Sequence, residues 1–329
     1  MHIAARYGLP KVEKYLIEHG APINEKNYKN WTALHYATSM FQFKSIRYLV
    51  SKGANIYLNV NCLGWKPIHW AAFCDNLNEV KKIIDNNEKD FNLNVQTEEG
   101  YTPLICACMN RTDKVSNYLL LQNKIDVNIR DKKNKPAISW ACAKGLFNTV
   151  KKLIDKKALI NVQDQDGWTP LQEAAFEKEY EIVNLLIKNR AKLEITENNG
   201  ISAIHWACYS GSLKLTEYFY SLIKNLDIKD HSGKTPLFFA AEHGHYDIIK
   251  FLHFVGCNIF IKDKCNNNLL HTIANLNLVF FEEKHYEVVR FLIKKGLTPS
   301  GKNNNGLNAI NLCLINNNEV LKIILTQKC

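Results

Sequence analysis

No run of apolar residues in this 329-residue chain comes near the roughly eighteen that a membrane-crossing helix needs. The first residues, Met1-His2-Ile3-Ala4-Ala5-Arg6, lack the charged-then-apolar order of a secretory signal. Also missing are a Gly-rich phosphate loop, HExxH, GxSxG and any CxxC pair. Those absences remove the common signatures of nucleotide, zinc-protease, serine-hydrolase and dithiol chemistry. The ten cysteines therefore need another reading. Cys108, Cys142 and Cys208 fill one recurring slot that is otherwise Ala. Cys106 and Cys108, two apart on a helix, face different ways and do not make a metal pair. Small buried thiols in a reducing compartment, cytoplasm or nucleus, account for them better than disulfides do. No cofactor, no metal and no catalytic residue is expected.

What the chain does have is a phrase that keeps returning. Gly167-Trp168-Thr169-Pro170-Leu171-Gln172-Glu173-Ala174-Ala175 is one copy; Trp65-Lys66-Pro67-Ile68-His69-Trp70-Ala71-Ala72 and Lys234-Thr235-Pro236-Leu237-Phe238-Phe239-Ala240-Ala241 are looser ones. The Thr slot falls at 32, 66, 102, 136, 169, 202, 235, 268 and 308, in steps of 34, 36, 34, 33, 33, 33, 33 and 40. A period near 33 means a stacked array of small units, each packed only on its neighbours. Within each unit the Thr caps a first helix and the Pro suits its first turn. The Ala pair lets neighbouring helices approach closely. A turn follows, often with Gly (Gly145, Gly211, Gly244), then a second helix with apolar residues at i, i+3 and i+4, as in Ile182-Val183-Leu185-Leu186. An extended polar link then turns tightly into the next copy.

The pattern G-x-T-P-L-H-x-A-A, a Gly turn, an apolar helix and then G-A-x-(I/V)-N resembles the ankyrin repeat. Gly20-Ala21-Pro22-Ile23-Asn24 and Gly53-Ala54-Asn55-Ile56 carry its second half. The resemblance covers essentially the whole chain and implies an all-α ankyrin-repeat solenoid, helix-turn-helix units joined by hairpin-like loops in a curved, elongated stack. Residues 1–329 then form a single array with units beginning near 1 (partial), 30, 64, 100, 134, 167, 200, 233, 266 and 306. The first unit starts inside its first helix, which fits a piece of a longer protein. Asn316-Asn317-Asn318 would serve as a modest polar cap. The step of 40 places an insertion at about 275–286, whose Leu278-Val279-Phe280-Phe281 would either dock a partner or fold back onto the stack.

In this family His2, His35, His69, His205 and His271 occupy one structural slot, where the imidazole bonds the adjoining hairpin rather than a metal. Function is expected in the variable slots on the concave side of hairpins and first helices. There the sequence places Trp31, Trp65, Trp70, Phe73, Tyr101, Trp140, Trp168, Phe176, Trp206 and Tyr209. Such rings would either grip a partner or stiffen the stack against one another. Lys132, Lys133, Lys135 and Lys234, with Lys229, Lys262 and Lys264, would supply a basic half suited to acidic segments. Trp65→Ala with Trp70→Ala is expected to abolish partner capture with little change in the thermal melt. The net charge, 42 − 32 = +10, sits largely on helix faces such as Lys151-Lys152, read as solvated.

The expected function is a non-enzymatic protein–protein interaction scaffold in the cytoplasm that binds one or more proteins, an acidic or extended peptide segment included. The alternatives are a substrate-recruiting array of a larger enzyme, such as an ankyrin-type palmitoyltransferase, and a basic module docked on a cytoskeletal surface or on nucleic acid. Glu98-Glu99 and Asp164-Asp166 interrupt any basic track and count against nucleic acid. Direct membrane insertion is not expected.

Overall fold

The structure, a computed structural model, describes residues 1–40, 42–56, 63–85, 92–276 and 281–326. Its helices pair along the chain. The unit Met1–Ile160 holds α1 (His2–Arg6) with α2 (Pro10–Glu18), α3 (Ala33–Ser39) with α4 (Phe43–Ser51), α5 (Pro67–Phe73) with α6 (Leu77–Asp85), α7 (Pro103–Cys108) with α8 (Lys114–Leu119), and α9 (Ala137–Ala143) with α10 (Phe147–Asp155). The unit Asn161–Cys329 holds α11 (Pro170–Phe176) with α12 (Tyr180–Lys188), α13 (Ala203–Ser210) with α14 (Leu213–Ile223), α15 (Pro236–Glu242) with α16 (Tyr246–Phe254), α17 (Leu269–Ala274) with α18 (Glu283–Lys294), and α19 (Ala309–Ile315) with α20 (Glu319–Thr326). Among the described residues there is no strand, only an isolated bridge between Arg130 and Pro136. The fold is an all-α ankyrin-type stack.

Within each unit, first helices pack on first helices and second helices on second helices, giving two layers. The first helices begin as the phrase demands. Thr32, Thr102 and Thr169 accept hydrogen bonds from the backbone N–H three residues on, and Pro103, Pro170 and Pro236 stand in the first turn. Ala37, Ala72, Ala107, Ala141, Ala175, Ala207 and Ala241 are buried where neighbouring first helices meet.

Among the described residues eight hairpins are each closed by one backbone bond at 2.9–3.2 Å, from Asn27 N–H to Trp31 O through to Asn303 N–H to Leu307 O. An Asp or Asn carboxyl or amide oxygen at the first position also takes N–H groups across the turn, as Asp164 Oδ1 does from Asp166 and Trp168. The turn closes only through a left-handed residue before its last position. Gly100, Gly167, Gly200, Gly233 and Gly306, with Asn30, Asn134 and Asn266, stand there at φ of 62 to 86°. Neighbouring tips are then tied amide to carbonyl, Lys132 to Glu99 at 2.9 Å and His231 to Asn199 at 2.8 Å.

The Asn of G-A-x-(I/V)-N proves to be a clamp on the next repeat. Asn128 Oδ1 accepts from Leu159 N–H at 2.9 Å while its amide donates to Lys157 O at 3.4 Å. Asn24, Asn94 and Asn161 repeat the same pair of bonds to the next helix end.

Replacing Gly200 with Ala should cost about 2 kcal/mol or more, because its φ is +81° and a Cβ would lie 2.8 Å from His231 N. Gly256→Ala, at φ +96° with nothing within 4 Å, should cost only the backbone part, about 1 kcal/mol. Urea unfolding of the two variants measures the difference.

Candidate protein-binding surface

The recurring histidines are hydrogen-bonded parts of the stack. His69 Nδ1 accepts from Lys66 N–H at 3.0 Å, which leaves Nε2–H to donate to Val95 O of the following hairpin at 3.0 Å. His271 does the same between Asn268 N–H and Leu307 O. His2 reaches the carbonyls of Glu25 and Trp31, each at 3.0 Å. His35 and His205 receive the capping N–H of Thr32 and Ser202. Gln172 fills the slot with an amide: Oε1 accepts from Thr169 N–H and Nε2 donates to Ile195 O and Ile201 O. Gln172 shows that the slot accepts any side chain with an acceptor and a donor back to back, although at His205 the Nε2 side finds no partner among the described residues. Among the described residues no group of His, Cys, Asp and Glu is placed to hold an ion.

Burial pushes the His69 and His205 imidazoles down to about 4. It pushes the thiols of Cys74, Cys208 and Cys257 up to about 12, so they stay protonated and unreactive.

The aromatic residues divide sharply. Trp65, Trp70 and Phe73 are 1%, 0% and 1% exposed and offer nothing to a partner. The expectation of a surface stripe at these positions is corrected. Trp65 lies 4.5 Å from Trp70 and 5.8 Å from Phe73, ring centre to ring centre, with Phe43 packed on Phe73 at 5.3 Å and the Arg47 guanidinium over Phe73 at 4.9 Å. Their apolar area drives them inward against one another, although neither indole N–H finds an acceptor among the described residues. The alternative reading, rings that stiffen the stack, is the one that applies there. The matching expectation that Trp65→Ala with Trp70→Ala would spare the melt falls with it.

Elsewhere in the first unit the candidate residues meet at most in pairs. Trp31 is half-buried, edge-on to Tyr36 at 5.2 Å. Tyr101 is half-buried too, its hydroxyl pushed up to about 12 by burial and by Asp131 and Glu99. Trp140 donates from Nε1 to Asp131 Oδ2 at 3.1 Å beneath the Lys135 ammonium, 4.6 Å from its ring centre. Lys132 and Lys133 are exposed, Lys132 lying 3.9 Å from Glu99.

In the second unit Trp168, Phe176, Trp206 and Tyr209 do come together, all half-buried. Trp168 and Trp206 lie 4.4 Å apart, tilted by 31°. Phe176 stands edge-on to both, at 5.8 and 5.6 Å, and stacks on Tyr209 at 5.7 Å. Tyr209 in turn meets His243 at 4.0 Å. The α11 and α13 helices, stacked side by side, and the hairpin residue Trp168 just ahead of α11 bring these rings together. Lys234 pairs with Glu242 at 3.3 Å nearby in the chain. Three of the four apolar insertion residues, 278–280, lie outside the described residues. The fourth, Phe281, stacks on His285 at 5.0 Å.

A phrase of this chemistry repeated over stacked helix pairs, with hairpins tied tip to tip, has a counterpart among known families. The family model described as "Ankyrin repeats (3 copies)" matches residues 1–60, 56–131, 118–197 and 181–263. The chain belongs to the ankyrin-repeat family. Ankyrin repeats generally mediate protein–protein interaction. The chain is 30% identical over 145 residues to the "Probable 26S proteasome regulatory subunit p28" of Saccharomyces cerevisiae, covering 44% of this chain and 63% of that one. It is 24% identical over 163 residues to "Palmitoyltransferase AKR1" of Lachancea kluyveri, 48% of this chain but 22% of that one. The chain thus spans less than two thirds of either relative. The crystal structure of the human ASB11 ankyrin repeat domain superposes with a TM-score of 0.59 at 23% identity, over 70% of this chain and 100% of that one. Among the described residues no helix is long and apolar enough to cross a membrane.

One set of residues escaped the sequence reading. Tyr180, Tyr218, Tyr246, Phe251 and Phe291 sit on the second helices of the second unit, half-buried.

Trp70→Ala is expected to lower stability by about 3–5 kcal/mol, as for other fully buried large side chains, read by denaturant unfolding. A smaller loss, about 1 kcal/mol, is expected for Tyr209→Ala, whose ring is half in solvent. The low imidazole values also predict a pH dependence. The folded state keeps His69 and His205 neutral below the ordinary value of 6.5, so their stabilisation is full above that pH and is lost as pH falls toward 4. At pH 5 each should cost about 2 kcal/mol relative to pH 7.5. His69→Gln, which copies Gln172, should flatten the fall in melting temperature between pH 7.5 and 5.

Proposed function

We propose that this ankyrin-repeat protein is a non-enzymatic cytoplasmic adaptor that takes an extended segment of a partner across the face built by Trp168, Phe176, Trp206 and Tyr209. The observation that carries the reading is this cluster, four large rings from two adjacent repeats that stay partly exposed. Large rigid rings of this kind give contact area at little entropic cost and concentrate binding energy. The exposed Lys132 and Lys133 at a first-unit hairpin favour an acidic partner. The free, protonated thiols fit a reducing compartment.

A second reading is favoured by the partial likeness to a palmitoyltransferase: the same face would then recruit substrate for catalysis carried elsewhere. A cytoskeletal or nucleic-acid surface finds less support, since the best-formed cluster is aromatic rather than basic.

The test is a displayed-peptide selection on the immobilised full chain, followed by titration of the selected peptide. Trp168→Ala with Tyr209→Ala should weaken binding at least about tenfold, while the urea midpoint shows a folded protein. Unchanged affinity in that folded variant would remove the aromatic face as the site.

A further inference from the structure

The outer faces of α16 and α18 carry two adjoining grooves of about 640 and 500 Å³ that share Phe291 and Lys295. Such volumes are ordinary for sites that seat a large apolar side chain with flanking backbone. The floor is aromatic: Phe251 and Phe291 are half-buried, Tyr246 stands edge-on to Phe291 at 5.6 Å, and His253 does so at 5.7 Å. At the lip stands Phe254, 86% exposed on the last turn of α16. A Phe held in water to that degree gains nothing for the fold.

The walls are cationic. Lys250, Arg290, Lys294 and Lys295 line the grooves against two carboxylates, Asp247 and Glu287. None of the four cations makes an ion pair among the described residues. Lys295 instead rests over the Phe291 ring, 5.7 Å from its centre.

We propose that this face of the second helices is a separate docking surface for an acidic partner segment with an aromatic or branched aliphatic anchor. The anchor fills the groove over Phe251 and Phe291 and covers Phe254, and flanking carboxylates meet Lys250, Arg290, Lys294 and Lys295. Asp247 and Glu287, interspersed with the cations, disfavour a uniformly anionic lipid surface. A second copy of this chain would bring the same cationic face and a net charge of +10 against it. An acidic protein segment is the occupant that satisfies both the rings and the charges. This face is built on second helices and owes nothing to Trp168 or Tyr209.

A fluorescent helical probe peptide, with Phe and Leu at i and i+4 among glutamates, is titrated against the full chain beside the same peptide with every Glu replaced by Gln. The acidic probe should bind, and the Gln probe at least about tenfold more weakly. Lys250→Glu with Lys295→Glu, and separately Phe254→Ser, should each weaken the acidic probe by about tenfold or more. All these side chains are at the surface, so the melt should not move, and Trp168→Ala should leave this titration unaltered. Equal binding of both probes, no binding, or indifference to both variants overturns the proposal. So does capture by phosphatidylserine vesicles that Phe254→Ser abolishes while the probe fails to bind. A dimer in sedimentation equilibrium that Phe254→Ser dissolves would equally assign the face to a second copy and overturn it.

Discussion

One backbone position per hairpin, held in the left-handed region, sets the spacing on which the stack depends. It closes the turn, and the closed turn presents an N–H and a C=O to its neighbour, so that tips join as Lys132 joins Glu99 and Lys264 joins Ser232. Glycine satisfies it at Gly100, Gly167, Gly200, Gly233 and Gly306; asparagine satisfies it at Asn30, Asn134 and Asn266, where the small αL penalty is tolerated. Where the neighbouring tip crowds in, as His231 does on Gly200, close packing favours glycine as well as conformation. The histidine slot, the clamping asparagine and the alanine contacts then operate at a distance already fixed.

The sequence made the backbone path legible because that path depends on local rules. Thr capping, Pro in the first turn and the bond from Lys66 N–H to His69 Nδ1 follow from a residue and its neighbours a few positions away. The clamp by Asn24, Asn94, Asn128 and Asn161 was visible as a letter but not as an action, since its partners lie about thirty residues on. Exposure was the least legible property. Trp65 and Trp168 occupy the same slot of the phrase, yet one is buried and the other half in water. The difference lies in what stands beside each: Trp65 has Trp70 and Phe73 to close over, whereas Trp168 meets rings that share its own open face.

Aromatic residues thus serve two ends, buried area in some layers and partly exposed surface in others. In the first, Trp65, Trp70 and Phe73 supply buried area to a stack of short helices. In the second, comparable rings remain partly wet on the first helices, and others, Tyr246, Phe251 and Phe291, do so on the second helices. A chain whose repeats contact only their neighbours can specialise in this way, because a change in one layer is not felt by the layers beyond.

The bond from His285 Nε2 to Glu242 O, at 3.1 Å, parallels that from His245 Nε2 to Tyr209 O, at 2.9 Å. Each ties the start of a second helix, α18 or α16, to the end of the first helix one repeat earlier, α15 or α13. The same bond is made at the head of both helices, and it fixes where α18 begins. A helix moored at its head in this way is held by the layer before it, much as a cable's terminal is bolted down independently of the run that leads to it.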